Sequence, residues 1–144
     1  MIILDTNIVS ELMREQPDQN VKHWISEQKQ FHLAITAITI AEIHYGIQRL
    51  PLGKRRDQLE QRFKAFVDEV FVGRIFSFDE EAAYHYGSLY AHSVSEGHNV
   101  DAVDMMIAAI VKQHDALLVT RNIKDFKQCD IKLVDPFSSS EVMH

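Results

Sequence analysis

The chain has a single cysteine among 144 residues, Cys129, so no internal disulfide is available and no paired-cysteine zinc pattern exists. Stability must therefore come from packing, and a reducing compartment is expected. Glycine and proline are scarce, at five and three, which excludes a low-complexity or linker-like chain. Pro17, Pro51 with Gly53, Gly73, Gly97 and Pro136 fall where turns are expected, whereas Gly46 and Gly87 lie inside helical patterns and predict close packing there. No apolar run approaches the roughly 18 to 20 residues needed to span a bilayer. The opening run Ile2-Ile3-Leu4 breaks at Asp5 with no basic residue before it, too early for a signal peptide. A soluble, cytoplasmic protein with no membrane association is the expectation.

Basic charge is also in short supply. The formal net charge is −6, which argues against a general nucleic-acid binder, because phosphate contacts call for a basic surface. The objection loses force if several acids serve one metal site, since a bound cation inverts the local sign. Lys54, Arg55 and Arg56 form the one dense basic run and read as the solvated start of a helix. No repeat or long linker divides the chain, so residues 1–144 are expected to form a single domain.

Short apolar runs predict strands at Ile2–Leu4, Phe31–Ile35, Arg74–Phe76, Ala116–Thr120 and Ile131–Val134. Helical periods cover Ile8–Met13, Val21–Glu27, Ile40–Leu50, Glu81–Ser95 and Ala102–Gln113. Leu59, Phe63, Phe66, Val67 and Val70 give a further apolar helix face. Alternating strands and helices imply an α/β fold with right-handed crossovers and a mostly parallel sheet covered on both faces. In such sheets the working site lies beyond the carboxyl ends of the strands.

Three acids fall at those ends. Asp5 directly follows the first strand, where it or Thr6 could equally serve as a helix N-cap. Glu42 lies among Ile40, Ala41, Ile43 and Ile47, a charge close to a buried surface that needs a partner. Asp104 opens a helix that is apolar on nearly every side, with Asp101 three residues earlier as its expected N-cap. At about 5 Å and an effective dielectric of 20, each like-charged pair repels by roughly 3 kcal/mol. A cation relieves that repulsion, and all-oxygen ligation selects Mg²⁺ or Mn²⁺ over zinc. Such a site activates water and stabilises charge on a phosphate undergoing in-line displacement, so the reaction class is phosphodiester hydrolysis. The eight histidines form no His-Glu-x-x-His pattern, and no glycine-rich phosphate loop occurs. His44, His85 and His92 read as structural or surface residues.

Leu-Asp-Thr-Asn at 4–7, Thr-Ala-Ile-Thr-Ile-Ala-Glu at 36–42, Gly46, Asp104 with Ile107-Ala108-Ala109, Val-Thr-Arg-Asn at 119–122 and Val-Asp-Pro-Phe at 134–137 occur in an order that resembles the PIN-domain family. Within that family the chain is similar to the VapC-type toxin ribonucleases of toxin–antitoxin pairs. The resemblance implies a three-layer fold with a short-stranded sheet and a metal-dependent endoribonuclease acting on structured RNA. It further implies a cognate antitoxin and a homodimer. It places Asp5, Glu42 and Asp104 at the family's metal-binding acids, Thr6 and Thr120 at orienting hydroxyls, and Asn7 at a polar support. The chain departs from the pattern at Asn122, where an acid is common; Asp125 is the nearest substitute. A non-catalytic PIN module that binds RNA or protein is therefore a second reading, and an RNA- or DNA-processing nuclease without toxicity a third.

Overall fold

A computed structural model describes residues 1–138 and the short strand Val142–Met143. Strand β1 (Ile2–Leu4) leads through α1 (Thr6–Leu12) and α2 (Gln19–Ser26) to β2 (Leu33–Thr36). Helices α3 (Ala37–Gln48) and α4 (Lys54–Val70) then precede β3 (Ile75–Phe76), and α5 (Glu80–Ser95) and α6 (Ala102–Gln113) precede β4 (Leu117–Val119). The short α7 (Ile123–Phe126) leads to β5 (Lys132–Val134), followed by β6 (Val142–Met143). The sheet order is β3-β2-β1-β4-β5-β6, parallel from β3 to β5 with β6 antiparallel at the edge.

This order places a switch point between β1 and β4. From β1 the chain moves outward to β2 and β3, then returns to the other side of β1 for β4 and β5. Right-handed crossovers in opposite directions put helices on opposite faces, and the connections diverge to leave a crevice at the strand ends. Period-2 burial shows both layers. Ile3, Ala34, Leu118 and Leu133 pack with α5, α6 and α7, while Leu4, Ile35, Val119 and Val134 pack with α1, α2, α3 and α4. The predicted three-layer α/β architecture is therefore present.

Helix α6 is central, as its all-round apolarity predicts: Met105 and Ile107 to Val111 are buried. Phe63 and Phe71 lie in the core, and half-buried Phe66 stacks on Phe71 at 5.4 Å. Burial pushes the Cys129 thiol up to about 11, which suits an unreactive core residue. Gly73, with φ 72°, makes the turn from α4 into β3, a conformation that side chains other than glycine's adopt with strain. Among the described residues, no helix is long and apolar enough to cross a membrane.

Local chemistry corrects several expected boundaries. The second strand begins at Leu33, because Gln30–His32 form a 3₁₀ turn that leaves Phe31 61% exposed. Helix α3 starts three residues before Ile40, since the Thr36 side chain accepts from the Thr39 N–H and caps it. Gly46 and Gly87 are not close-packing points: a β-carbon at either would meet no atom within 4 Å. Helix α7 and strand β6 carry too few residues to show a period. Phe126, from α7, is fully buried beneath α6. Phe126→Ala is expected to cost about 3–5 kcal/mol, read as a lower urea midpoint at unchanged slope.

Candidate active site

Asp5 leaves β1 as the N-cap of α1, its Oδ1 accepting from the Thr6 N–H at 2.8 Å. It is only 4% exposed, and a buried carboxylate demands partners. Its Oδ2 accepts from the Thr120 hydroxyl at 2.8 Å and from Asn7 Nδ2 at 3.3 Å. Thr120 ends β4, so this contact bridges the switch point. The Thr120 hydroxyl also accepts from the Asn122 N–H at 3.0 Å, which settles its own proton on Asp5. Asn7 in turn accepts from the Arg121 N–H at 3.2 Å. Despite these donors, burial holds the Asp5 carboxyl above its ordinary range, and the charge of Glu42 adds to the shift.

Glu42 stands on α3 and reaches the same end of the sheet through Thr6, whose hydroxyl donates to Glu42 Oε1 at 2.6 Å. Thr6 Oγ1 also shares a hydrogen bond of 2.9 Å with Thr39 Oγ1. Asp104 lies in the first turn of α6, capped by Asp101, whose Oδ1 accepts from the Val103 and Asp104 N–H groups. Partial burial, then the charges of Asp101, Asp5, Asp125 and Glu42, push the Asp104 carboxyl up to about 7. The acids thus lie within electrostatic reach of one another. A groove of about 840 Å³ opens beside Thr6 and Glu42 between α1, α3 and α4.

Residues 2–132 match the PIN domain family. The chain belongs to the PIN-domain family. Over 137 residues it is 34% identical to a protein named VapC ribonuclease Y4jK from Sinorhizobium fredii, covering 95% of this chain and 98% of that relative. It is also 34% identical to a protein named toxin FitB from Neisseria gonorrhoeae, covering 95% and 99%. Its fold superposes on a chain of the FitAcB crystal structure from Neisseria gonorrhoeae with a TM-score of 0.91 at 34% identity, covering 96% of this chain and all (100%) of that one.

The PIN fold thus brings Asp5, Thr6, Asn7, Glu42, Asp104 and Thr120 to one end of the sheet. Glu42 differs from expectation in being exposed: the apolar Ile43 and Ile47 turn inward beside it, and Thr6 supplies the partner that its charge needs. Asn122 and Asp125 are both exposed at α7, with no side-chain cap from Asn122. His44 and His92 are exposed, and half-buried His85 lies in the middle of α5. Thr39 joins the site through its hydrogen bond to Thr6 without being one of its acids. Its signal is the i, i+3 spacing to Glu42, which puts both on one helix face.

As these side chains stand, no three Asp, Glu, His or Cys residues among those described are drawn closely enough to enclose an ion. The donor set nonetheless suits one. Every candidate is a carboxylate, Asp5 is fixed by three donors, and burial together with its acidic neighbours gives the Asp104 carboxylate excess proton affinity. Oxygen donors with uncompensated negative charge fit a hard divalent cation.

Proposed function

We propose that this chain is one PIN-type nuclease domain that cuts RNA internally by metal-dependent phosphodiester hydrolysis, as the toxin of a toxin–antitoxin pair. The observation that carries the reading is Asp104 at the switch point, where burial first, and then the charges of Asp101, Asp5, Asp125 and Glu42, raise its carboxyl to about 7. The names borne by the similar proteins, a ribonuclease and a toxin, support the same reading. The match to a FitAB complex bound to DNA, at TM-score 0.92, supports an antitoxin partner for this chain. Exposed Tyr45, Tyr84 and Val94 on α3 and α5 supply apolar surface for a homodimer.

Asp5, Glu42 and Asp104 would hold Mg²⁺ or Mn²⁺. When bound, the cation neutralises the acids and the phosphate and lowers the pKa of water at the site. The chain's own groups perform the rest. Thr120 and Asn7 keep both Asp5 oxygens oriented, together with the Thr6 N–H. Thr6 holds Glu42 toward the same crevice. Asp104, half-buried, releases its proton near neutrality, so metal binding is expected to strengthen as pH rises through about 7.

The test is cleavage of end-labelled total RNA by purified, antitoxin-free protein with Mg²⁺ or Mn²⁺, against an EDTA arm and Asp104→Asn. Cutting only with the cation, and lost in the variant, is expected. Equal cutting by wild type and variant identifies a contaminant. A folded protein that binds RNA but cuts none under any of these conditions returns the site to a binding module, the reading that Asn122 favours.

A further inference from the structure

One cation stands braced at the rim of this acidic crevice. Arg121 follows Thr120 at the end of β4, and its backbone N–H is tied to Asn7, the residue that also donates to Asp5. Its guanidinium lies over the Phe137 ring, 4.3 Å from the centroid. The ring is itself anchored. The Phe137 N–H donates to Asp135 Oδ1 at 2.9 Å, and its carbonyl accepts from Asn20 Nδ2 at 2.9 Å. Arg121 is exposed, and among the described residues it joins none of the ion pairs.

An exposed arginine without a partner carries rotamer entropy that a ligand must overcome. Stacking on Phe137 restricts that freedom beforehand and leaves the N–H groups around the guanidinium edge for a bidentate acceptor. A chain of net charge −6 with its acids gathered at the site needs such a point to hold a polyanion. One ring face is already covered by the guanidinium, which favours a phosphate over a stacked base.

We propose that Arg121, braced by Phe137, binds an RNA phosphate flanking the one that is cut. This rests on the ribonuclease reading of the carboxylates. The guanidinium is held over Phe137 and makes no ion pair with the described acids, which keeps it beside the acid cluster rather than on the reacting group.

The test measures affinity for a fluorescein-labelled single-stranded RNA of mixed sequence by anisotropy across a potassium chloride series, in the Asp104→Asn background so that the probe survives. Arg121→Ala is expected to weaken binding about 10-fold and to shallow the slope of log K against log salt by about 0.7, one single-strand phosphate contact. Arg121→Lys should keep the slope without restoring full affinity. Phe137→Leu should weaken binding with the slope retained, because charge remains but its orientation is lost. With Asp104 intact, the thermal midpoint and Mn²⁺ affinity of Arg121→Ala should match wild type, and its loss of cleavage should fall on KM more than on kcat. Unchanged slope and affinity in Arg121→Ala overturn the assignment while wild-type cleavage leaves the ribonuclease reading standing. A slope that stays fixed while the thermal midpoint falls makes the stack a purely structural brace, and also overturns it. Wild type that neither binds nor cuts RNA removes both readings.

Discussion

Asp104→Asn should end cleavage and, at pH 8 without metal, make the protein more stable than wild type. The two effects share one cause. Asp104 is half-buried, and Asp101, Asp5, Asp125 and Glu42 crowd it, so its carboxyl is raised from 3.8 to about 7. The first turn of α6 offers a favourable helix dipole, worth about 0.3–1 kcal/mol, too little to offset burial and four acids. A carboxyl with a raised folded pKa stabilises the fold while protonated. That contribution is fully present below the unfolded value near 3.8 and is lost as pH rises through about 7. The whole displacement corresponds to roughly 4 kcal/mol. Asp104 is open enough for water to screen its charge, so about 2 kcal/mol is expected, or about 4–8 °C in Tm for a domain of this size. Asp5 titrates in the same direction. Asparagine keeps the shape and removes the charge. Thermal melts in EDTA at pH 5 and pH 8 check this: the variant's gain over wild type should be clearly larger at pH 8 than at pH 5. Saturating Mg²⁺ should reverse the order, because the cation stabilises the protein that binds it. A variant less stable than wild type at pH 8 in EDTA would show that the acids do not repel in the folded protein.

The second large effect is expected at Thr120. Its hydroxyl is fully buried, donates to Asp5 and accepts from the Asn122 N–H. Thr120→Val preserves volume but strips Asp5 of the donor that does most to hold its pKa down. The Asp5 carboxyl should rise further, and the Asn122 N–H should lose its acceptor. Groups of this kind orient a metal ligand, and their loss commonly lowers affinity or activity 10–100-fold. A loss of about 10–100-fold in Mn²⁺ affinity and cleavage is therefore expected, with a stability cost of about 1–3 kcal/mol at pH 8 for leaving the carboxylate short of a partner. Thr120→Ser restores the hydroxyl and should recover most of both. Metal titration and cleavage of the three proteins side by side decide the matter. If valine and serine behave alike, the hydroxyl does not orient Asp5.

Much of this was legible in the chain. Short apolar runs between helical periods implied the parallel sheet, and Asp5, immediately after Ile2-Ile3-Leu4, was placed at a strand end by position alone. Asp104 stood out because an acid opening an apolar helix is costly to bury. The capping role of Asp101 was equally visible from its three-residue lead. Less could be read where an element was brief or its signal non-local. Phe31 is apolar yet exposed, because the turn at Gln30–His32 takes it out of the strand. Glu42, expected close to a buried surface, is exposed with its oxygen on the Thr6 hydroxyl.

The sequence by itself determined which residues alternate between the two sheet faces, which helices are amphipathic and where the acids sit along the chain, since these follow from periods of 2 and 3.6. Only the tertiary structure decided that β4 lies beside β1. That pairing brings Thr120 to Asp5 across 115 positions, and Arg121 to the anchored ring of Phe137. No local period encodes such contacts; they arise when distant strands bury their apolar faces in one sheet.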